Sequence, residues 1–350
     1  MPYKFHEIDN FNEYNMPQRC CLEALSGSGR GRSVLNMALK GAVLALLMLL
    51  GGAVRGAMPK PVAIAMLLWR GETESDREFM ATLRGQGDFQ PVFTIMDAQA
   101  SRTRLAEQVH QVRTHPFDLI YCFGTTVALA LQHQINQTPI VFNIVSRPVE
   151  SGLIASWEHS GNNFTGISNQ VAMESAFKTL RLMVSFRKLG FIYNPAEPNS
   201  LIQIDEVQRL QKRLGFRLLP APLPDSSALE PILKGLLSSG VDAVLLPSDS
   251  LVQVNGQAIM RFLNKYGIPT IATIPDLVTK NGAFVALGPS YRELGHLAAE
   301  NALAVLRGQA PSEVPSRQGR EMHLTVNLGT AKRLGINLPL QLLKVSELIP

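Results

Sequence analysis

Short apolar runs alternate with amphipathic segments along the chain from Pro61 onward. The apolar runs are typical of buried strands, and the segments between them carry apolar residues at helical spacing. This alternation predicts βαβ units with parallel sheets. The first predicted strands span residues 62–68, 89–95, 117–122 and 139–142, and the predicted helices between them span residues 76–84, 101–113 and 125–134.

The same pattern repeats in the second part of the chain and predicts a second Rossmann-like half. Its predicted helices span residues 172–184, 200–214, 227–238 and 252–266, and its predicted strands span residues 188–193, 216–220, 243–246 and 270–273.

The chain is predicted to pass between the halves more than once. Residues 147–168 are rich in Gly, Pro and Asn, which predicts an irregular crossing that acts as a hinge. A strand at 284–287, a helix at 291–306 and a strand at 324–327 then predict a return to the first half and another crossing.

We therefore predict an α/β fold with two Rossmann-like lobes, parallel sheets and multiple crossovers. Lobe 1 would comprise residues 58–165 plus about 288–312, and lobe 2 residues 166–287 plus about 313–340. Parallel strands bind ligands at their carboxyl ends, so two such lobes can close on one ligand by hinge bending.

The N-terminal 57 residues are predicted to be a leader with a signal peptide. The uncharged run 41–54, between Lys40 and Arg55, is shorter than the roughly 20 residues that span a bilayer and matches a signal-peptide hydrophobic region. Small residues at 53–57 predict cleavage there and export to the periplasm, with an uncleaved anchor as the alternative. The segment before the run is long and carries Glu7, Asp9, Glu13 and Glu23, unlike the short basic start of an ordinary signal peptide. It suggests a start at Met37, and the alternative is a genuine extended leader.

Charge and cysteine content narrow the function classes. The formal charge is +5, and removing residues 1–57 takes away six basic and four acidic residues and leaves +3. With no basic cluster interleaved with aromatics, the sequence predicts no nucleic-acid partner. Beyond the leader only Cys122 remains, in an apolar run, so no disulfide framework is possible and a core position is expected.

The sequence gives little support to catalysis. No GxSxG nucleophile elbow occurs, and the histidines show no HxxxH metal-binding spacing. We therefore predict no catalytic residue, no bound metal, no cofactor and no enzymatic activity.

The polar turn 193–200 joins a predicted strand to a helix and is the first candidate ligand site. Ser200 and Gln203 have the spacing of a capping box. The free N–H groups of the first helical turn favour a carboxylate or similar anion. Asn194, Asn199 and Ser200 are therefore predicted to bind ligand, and the alternative is a simple helix cap.

Further candidates follow other predicted strands at the same sheet edges. Trp69 ends the first strand and can stack on a planar ligand, although packing at the rim is the alternative. Thr125 and Thr126 offer hydroxyls after the third strand, and Ser146 follows the fourth. Their alternative roles are helix capping and turn formation.

In the second half, Asp249 follows the strand 243–246 and could accept a hydrogen bond from an ammonium or hydroxyl group. Asp276 is a candidate of the same kind. Either residue could instead cap the helix that follows it.

Several short motifs in this order resemble one known family. The most specific is Tyr193-Asn194-Pro195 with Glu197, Asn199 and Ser200. The others are Pro139-Ile140-Val141-Phe142, Pro148-Val149, Gly152-Leu153, Gly161 with Asn163, Thr165 and Gly166, Leu246-Pro247 with Asp249, Ile268-Pro269, Tyr291 with Leu294-Gly295, Val326-Asn327-Leu328, Ala331-Lys332 and Leu334-Gly335-Ile336.

Over residues 60–339 the chain resembles the ABC-transporter substrate-binding proteins of the type 1 periplasmic-binding fold that include the tryptophan/tyrosine-type binders. The resemblance implies a monomeric periplasmic protein that traps a small organic solute, an amino acid or related carboxylate, and delivers it to an ABC permease in the inner membrane. A sensor that docks on a membrane signalling receptor is the alternative, and it would use the same cleft.

One departure concerns the ligand. The family commonly has Asp immediately before Pro148, where this chain has Arg147. If Arg147 faces the cleft, the charge there is reversed, and a guanidinium favours a carboxylate or phosphate. The alternative is that Arg147 is a solvated hinge residue.

Overall fold

The computed structural model describes residues 59–170 and 173–350. The predicted signal peptide, start site and cleavage site lie outside these residues. Within them, no helix combines the length and apolar character needed to cross a membrane.

Thirteen strands form two sheets in the described part of the chain. In chain order they are β1 Lys60–Leu68, β2 Phe89–Asp97, β3 Leu119–Phe123, β4 Ile140–Val145, β5 Phe164–Ser168, β6 Lys188–Tyr193, β7 Arg217–Pro222, β8 Ala243–Leu246, β9 Thr270–Ala272, β10 Val285–Pro289, β11 Arg317–Gln318, β12 Met322–Asn327 and β13 Ser346–Ile349.

The helices alternate with these strands as the sequence predicts. They are α1 Glu74–Arg84, α2 Arg102–Thr114, α3 Thr125–Leu131, α4 Met173–Leu180, α5 Pro198–Leu214, α6 Leu229–Ser238, α7 Ser250–Val254, α8 Gly256–Lys265, α9 Asp276–Thr279, α10 Tyr291–Leu306, α11 Leu328–Arg333 and α12 Leu340–Leu343.

The first sheet has the strand order β11-β5-β4-β3-β1-β2, and all its pairs are parallel. The second has the order β13-β12-β10-β9-β8-β6-β7, and only the pair β10–β12 is antiparallel. Strands β3 and β4 are buried along their whole length, because helices cover both faces of a parallel sheet. The predicted α/β fold with two sheets is confirmed.

The chain passes between the two sheets three times within the described residues. It leaves the first sheet after β5, returns after β10 when α10 packs against α1, β4 and β5, and leaves again between β11 and β12. Strand β5 extends to Ser168, and β11 at 317–318 pairs with the first sheet. These two strands lie near the predicted lobe boundaries, and the boundaries stay a prediction.

Strand β5 lies in the segment that the sequence suggested to be irregular. Its Gly166 approaches β4 so closely that a Cβ atom there would lie 2.0 Å from the carbonyl oxygen of Phe142. The glycine that suggested a loop is therefore a requirement of strand packing.

Most predicted helices differ from the observed ones by a few residues at an end, and two of the differences have a clear physical reason. The helix expected at 252–266 is divided at Asn255, whose side chain donates hydrogen bonds to Ser226 Oγ and to the Leu251 carbonyl. The helix expected from Ser200 begins at Pro198, because proline fits the first helical turn, and it ends as predicted with Gly215 at φ 64°. Cys122 is fully buried in β3, as expected.

Candidate functional site

Two adjoining cavities lie where segments following strands of the two sheets face each other. We call them the Met173 cavity and the Trp69 cavity. Ser146, Asn169 and Ser248 line both. The Met173 cavity is also lined by Arg147, Gln170, Met173, Ile202, Gln203, Glu206, Thr273, Ile274, Pro289 and Tyr291, and the Trp69 cavity by Trp69, Arg70, Phe123, Gly124, Thr125, Thr126, Ile144, Glu197, Asn199 and Ser250.

Two contacts join the halves beside these cavities. Arg147, which follows β4, forms an ion pair with Glu206 of α5, with 3.4 Å between Nη2 and Oε2. Arg102 of α2 donates a hydrogen bond of 2.6 Å to the carbonyl oxygen of Ala196 in the turn before α5. The structure therefore holds the two halves together over the cavities.

The ion pair is largely shielded from water, because 17% of the Arg147 side chain and 19% of the Glu206 side chain are exposed. Burial raises the pKa of the Glu206 carboxyl, and the neighbouring Arg147 charge opposes that rise. Arg147 is thus not a solvated hinge residue, and its charge already has a partner within the protein.

The turn before α5 is organised around Asp249 and not around the predicted capping box. Ser200 is the third residue of α5, the N-cap is Glu197, and the Ser200 hydroxyl donates a 2.5 Å hydrogen bond to Asp249 Oδ2. The same carboxylate oxygen accepts the backbone N–H of Asn194 at 2.7 Å, and Oδ1 accepts the N–H of Val252 at 3.0 Å. The capping-box prediction is wrong because the Asp249 carboxylate, from the β8–α7 connection, accepts the hydrogen bond of the Ser200 hydroxyl.

Glu197 adds a second carboxylate at this turn. Its two oxygens accept the backbone N–H of Ser250 at 3.2 and 3.3 Å. Burial raises the pKa of Glu197 and the nearby Asp249 charge raises it further, whereas the Ser250 hydrogen bonds and the Arg70 charge lower it. Several donors that the sequence offered to a ligand anion are therefore satisfied by the protein's own carboxylates.

The predicted second-half residues divide accordingly. Asn199 lines the Trp69 cavity and donates a short hydrogen bond to the Ser248 carbonyl. Asn194, Ser200 and Asp249 brace the turn and do not line either cavity. Asp276 also lies outside both cavities and forms a 2.7 Å ion pair with Lys280 on an exposed face.

The predicted first-half residues all line the cavities. Trp69 follows β1 directly and is 8% exposed. Thr125 and Thr126 begin α3, and Thr125 Oγ1 accepts the backbone N–H of Ser146 at 3.0 Å. The Ser146 hydroxyl donates to Asn169 Oδ1 at 3.1 Å. The structure thus brings residues from three strand ends together.

A buried hydrogen-bond network connects β3 and β4, which precede Thr125 and Ser146, to helix α1. Tyr121 of β3 donates a 2.6 Å hydrogen bond to Asp76 of α1, and the Asn143 side chain of β4 donates to Tyr121 Oη at 3.0 Å and to Ser75 Oγ at 2.8 Å. Burial raises the pKa of Asp76, and the hydrogen bonds from Tyr121 and Thr73 oppose the rise. The network fixes β3, β4 and α1 relative to one another.

Unpartnered polar atoms concentrate in the two cavities. Of eight buried side-chain nitrogen or oxygen atoms without a hydrogen bond of normal geometry in the described residues, five belong to cavity-lining residues. They are Trp69 Nε1, Arg147 Nε, Gln203 Oε1, Thr273 Oγ1 and Tyr291 Oη. Of these, Tyr291 Oη still interacts with Ser248, which opposes the rise in the Tyr291 pKa that burial causes. Buried polar groups are rarely left unpaired, so this concentration is what a site for a polar ligand would show.

Local sequence patterns do not single out several of these residues as lining a cavity. Arg70 adjoins Trp69, and that adjacency was the available signal. The sequence pattern places Gln203 only in a predicted cap, Thr273 only in a predicted strand and Tyr291 only in a predicted helix. Their approach to one cavity depends on pairing and packing that no local pattern reveals.

The two-sheet architecture is that of the type 1 periplasmic-binding proteins. Residues 86–348 match the family described as ABC transporter substrate binding protein, and the chain belongs to that family. The resemblance found in the sequence is thereby confirmed.

Individual relatives agree with this assignment. The chain is 29% identical over 218 residues to a tyrosine-binding protein of Clostridioides difficile, and the match spans 62% of this chain and 63% of that relative's length. An ABC domain of Streptococcus pneumonia in complex with L-Trp has a TM-score of 0.77 at 18% identity, with coverage of 83% of this chain and 100% of the other.

A ligand-free, open structure of a substrate-binding protein with adhesive properties from Clostridium difficile has a TM-score of 0.65 at 23% identity. It matches 82% of this chain and 99% of the other. At these identities the structural likenesses concern the fold.

Proposed function

We propose that this protein is the periplasmic solute-binding component of an ABC uptake transporter and traps a small organic solute, an amino acid or related carboxylate, between its two lobes. It would act without catalysis and as a monomer, and present the closed complex to an inner-membrane permease. Family membership supports the transporter role, and the names of two relatives, which refer to tyrosine and L-Trp, support an amino-acid ligand.

The observation that carries this proposal is the concentration of unpartnered polar atoms in cavities bounded by both lobes. A ligand that binds there contacts both lobes, so it stabilises the closed arrangement by its differential affinity for that arrangement. Among the predicted residues, Trp69, Thr125, Thr126, Ser146, Arg147 and Asn199 would contact ligand or line its space. Asn194, Ser200 and Asp249 would hold the second-lobe turn in position, and we assign Asp276 no contact.

A thermal-shift screen of the purified protein tests the proposal. The panel should contain amino acids, other organic acids, purines and sugars. A true ligand at a hundredfold excess over its Kd adds about 2.7 kcal/mol to the free energy of unfolding, which gives a clear rise in Tm. A panel with no stabilising compound would count against solute capture.

Tryptophan fluorescence locates the binding event. The sequence contains two tryptophans, and Trp157→Phe leaves only Trp69 as the reporter. A ligand in the cavities should change the Trp69 emission of this variant. As a matched control, Asp276→Asn removes a charge outside both cavities and should leave affinity unchanged.

A further inference from the structure

The Trp69 cavity contains a cationic side chain that the rest of the protein does not neutralise by contact. Arg70 is half-buried and lines this cavity. In residues 59–170 and 173–350, its guanidinium has no partner in any hydrogen bond or ion pair, although its charge is felt by Glu197 and Tyr291. Arg147, the other guanidinium at the cavities, is already paired with Glu206.

A second donor lies beside Arg70. The indole Nε1 of Trp69 lines the same cavity, is buried, and has no acceptor among the described residues. Trp69 is 8% exposed, so this N–H cannot rely on bulk water. An indole N–H can only donate, and therefore it requires an acceptor from a ligand or an ordered water.

Nearby hydroxyls can complete the set of donors. Thr125 Oγ1 accepts the Ser146 N–H, which leaves its own hydrogen free to donate into the cavity that it lines. The acceptor expected there is an anion, because a guanidinium gains most from a charged oxygen. The donors of the neighbouring turn are held by Asp249 and Glu197, so they do not compete for it.

Glu197 limits the charge of that anion. Its carboxylate accepts the Ser250 N–H, and the Arg70 charge lowers its pKa. Glu197 therefore already offsets part of the positive charge of Arg70. A singly charged group therefore fits this cavity better than a doubly charged one.

We propose that Arg70, Trp69 Nε1 and Thr125 form a carboxylate subsite in the Trp69 cavity, and that the apolar part of the same organic acid lies in the Met173 cavity. This inference rests on the proposed function and names the orientation of its ligand. It places the carboxylate on the first lobe, at Arg70 and not at Arg147. The Met173, Ile202 and Ile274 side chains provide the apolar surface of the second cavity.

Matched acids and amides test the subsite. Calorimetry should compare L-tyrosine with L-tyrosinamide, L-tryptophan with L-tryptophanamide, and 3-phenylpropionate with 3-phenylpropanamide. We expect each acid that binds to bind at least about tenfold more tightly than its amide, because a charge-assisted hydrogen bond is lost in the amide. Equal affinities for acid and amide would overturn the proposal.

Variants assign the effect to Arg70. Arg70→Gln should weaken acid binding at least about tenfold and abolish the preference for acid over amide, and Arg70→Lys should restore part of it. The control Arg77→Gln removes the same charge from an exposed position on α1 and should have no effect. If Arg70→Gln binds a ligand acid as tightly as the parent, the subsite is wrong while solute binding stands.

If no acid of the panel binds, a titration with acetate tests the subsite directly. The indole N–H resonance of Trp69 is followed in the Trp157→Phe protein, with and without Arg70→Gln. A saturable shift that requires Arg70 supports the subsite even if the solute-binding proposal fails. No shift, or tighter binding of inorganic phosphate than of acetate, overturns it.

Discussion

The Arg147–Glu206 ion pair offers a direct test of how the two lobes are held together. At 3.4 Å and an effective dielectric constant of about 20, the Coulomb attraction is about 5 kcal/mol before desolvation is counted. Desolvation of two largely buried charges offsets most of this attraction, so we expect a net contribution of about 1–2 kcal/mol. Because the partners belong to different halves, that contribution should be lost when the lobes separate.

Glu206→Gln removes the ion pair with little change of shape. If the lobes are mainly open without ligand, the Kd should rise by the whole contribution of the pair, about 5- to 30-fold. The assay is isothermal titration calorimetry with the tightest ligand from the screen, combined with small-angle X-ray scattering of the free protein. Scattering checks the premise: equal radii of gyration for parent and variant show that the free lobes are already open, whereas a larger radius in the variant shows that the pair also closes the free protein, and the rise in Kd should then be smaller.

A double-mutant cycle with Arg147→Gln separates the pair from other effects. The double variant should bind no more weakly than Glu206→Gln alone, because the pair is already lost. Glu230→Gln breaks an exposed ion pair with Lys234 inside α6 and should leave the affinity unchanged. Tighter binding by Glu206→Gln would refute this reasoning, because it would show that a freed Arg147 holds the ligand's carboxylate.

Three further predictions concern the scaffold. Gly295→Ala should lower the free energy of unfolding by about 3 kcal/mol in urea titrations, because the new Cβ would lie 2.2 Å from the Ser75 carbonyl oxygen. The control Gly235→Ala has open space around the new Cβ in α6 and should raise the free energy of unfolding by about 1 kcal/mol. Ser200→Ala should cost about 2 kcal/mol by the same assay, since a buried hydrogen bond to a carboxylate is lost; an unchanged stability would contradict the bracing role. Burial raises the pKa of Asp76, so the folded state favours the protonated carboxyl more than the unfolded state does. The stabilisation that comes from this proton is complete below the ordinary pKa of 3.8 and is lost as the pH rises through the folded pKa. Urea titrations from about pH 4 to about pH 8 should therefore show the stability difference between parent and Asp76→Asn falling as the pH rises, and a constant or growing difference would refute this.

Local sequence patterns predicted most elements of the fold. Strands β6 and β8 have the predicted bounds, because a strand covered by helices on both faces must be apolar along its length. The pattern failed at β5, a short strand whose Gly166 serves a close contact with β4. It also missed that β12 pairs antiparallel with β10. The direction of a strand depends on where its connection leads and not on its own composition.

The candidate site was predictable only in part. Residues that follow strands of the first half were identified, because the carboxyl ends of parallel strands share one edge of the sheet. The roles at the second-lobe turn were not, because Ser200 has the local pattern of a cap but its hydroxyl is taken by Asp249 from another connection.

The sequence by itself determined the order of strands and helices, the presence of two halves and the resemblance to a family of binding proteins. These properties follow from local periodicity and short motifs. Only the tertiary structure decided which charges are paired and which are free: Arg147 meets Glu206, whereas Arg70 and the Trp69 indole meet no partner within the described residues. The physical reason is that a hydrogen bond or ion pair depends on distances of a few ångströms between segments far apart in the chain, and the packing of two sheets sets those distances.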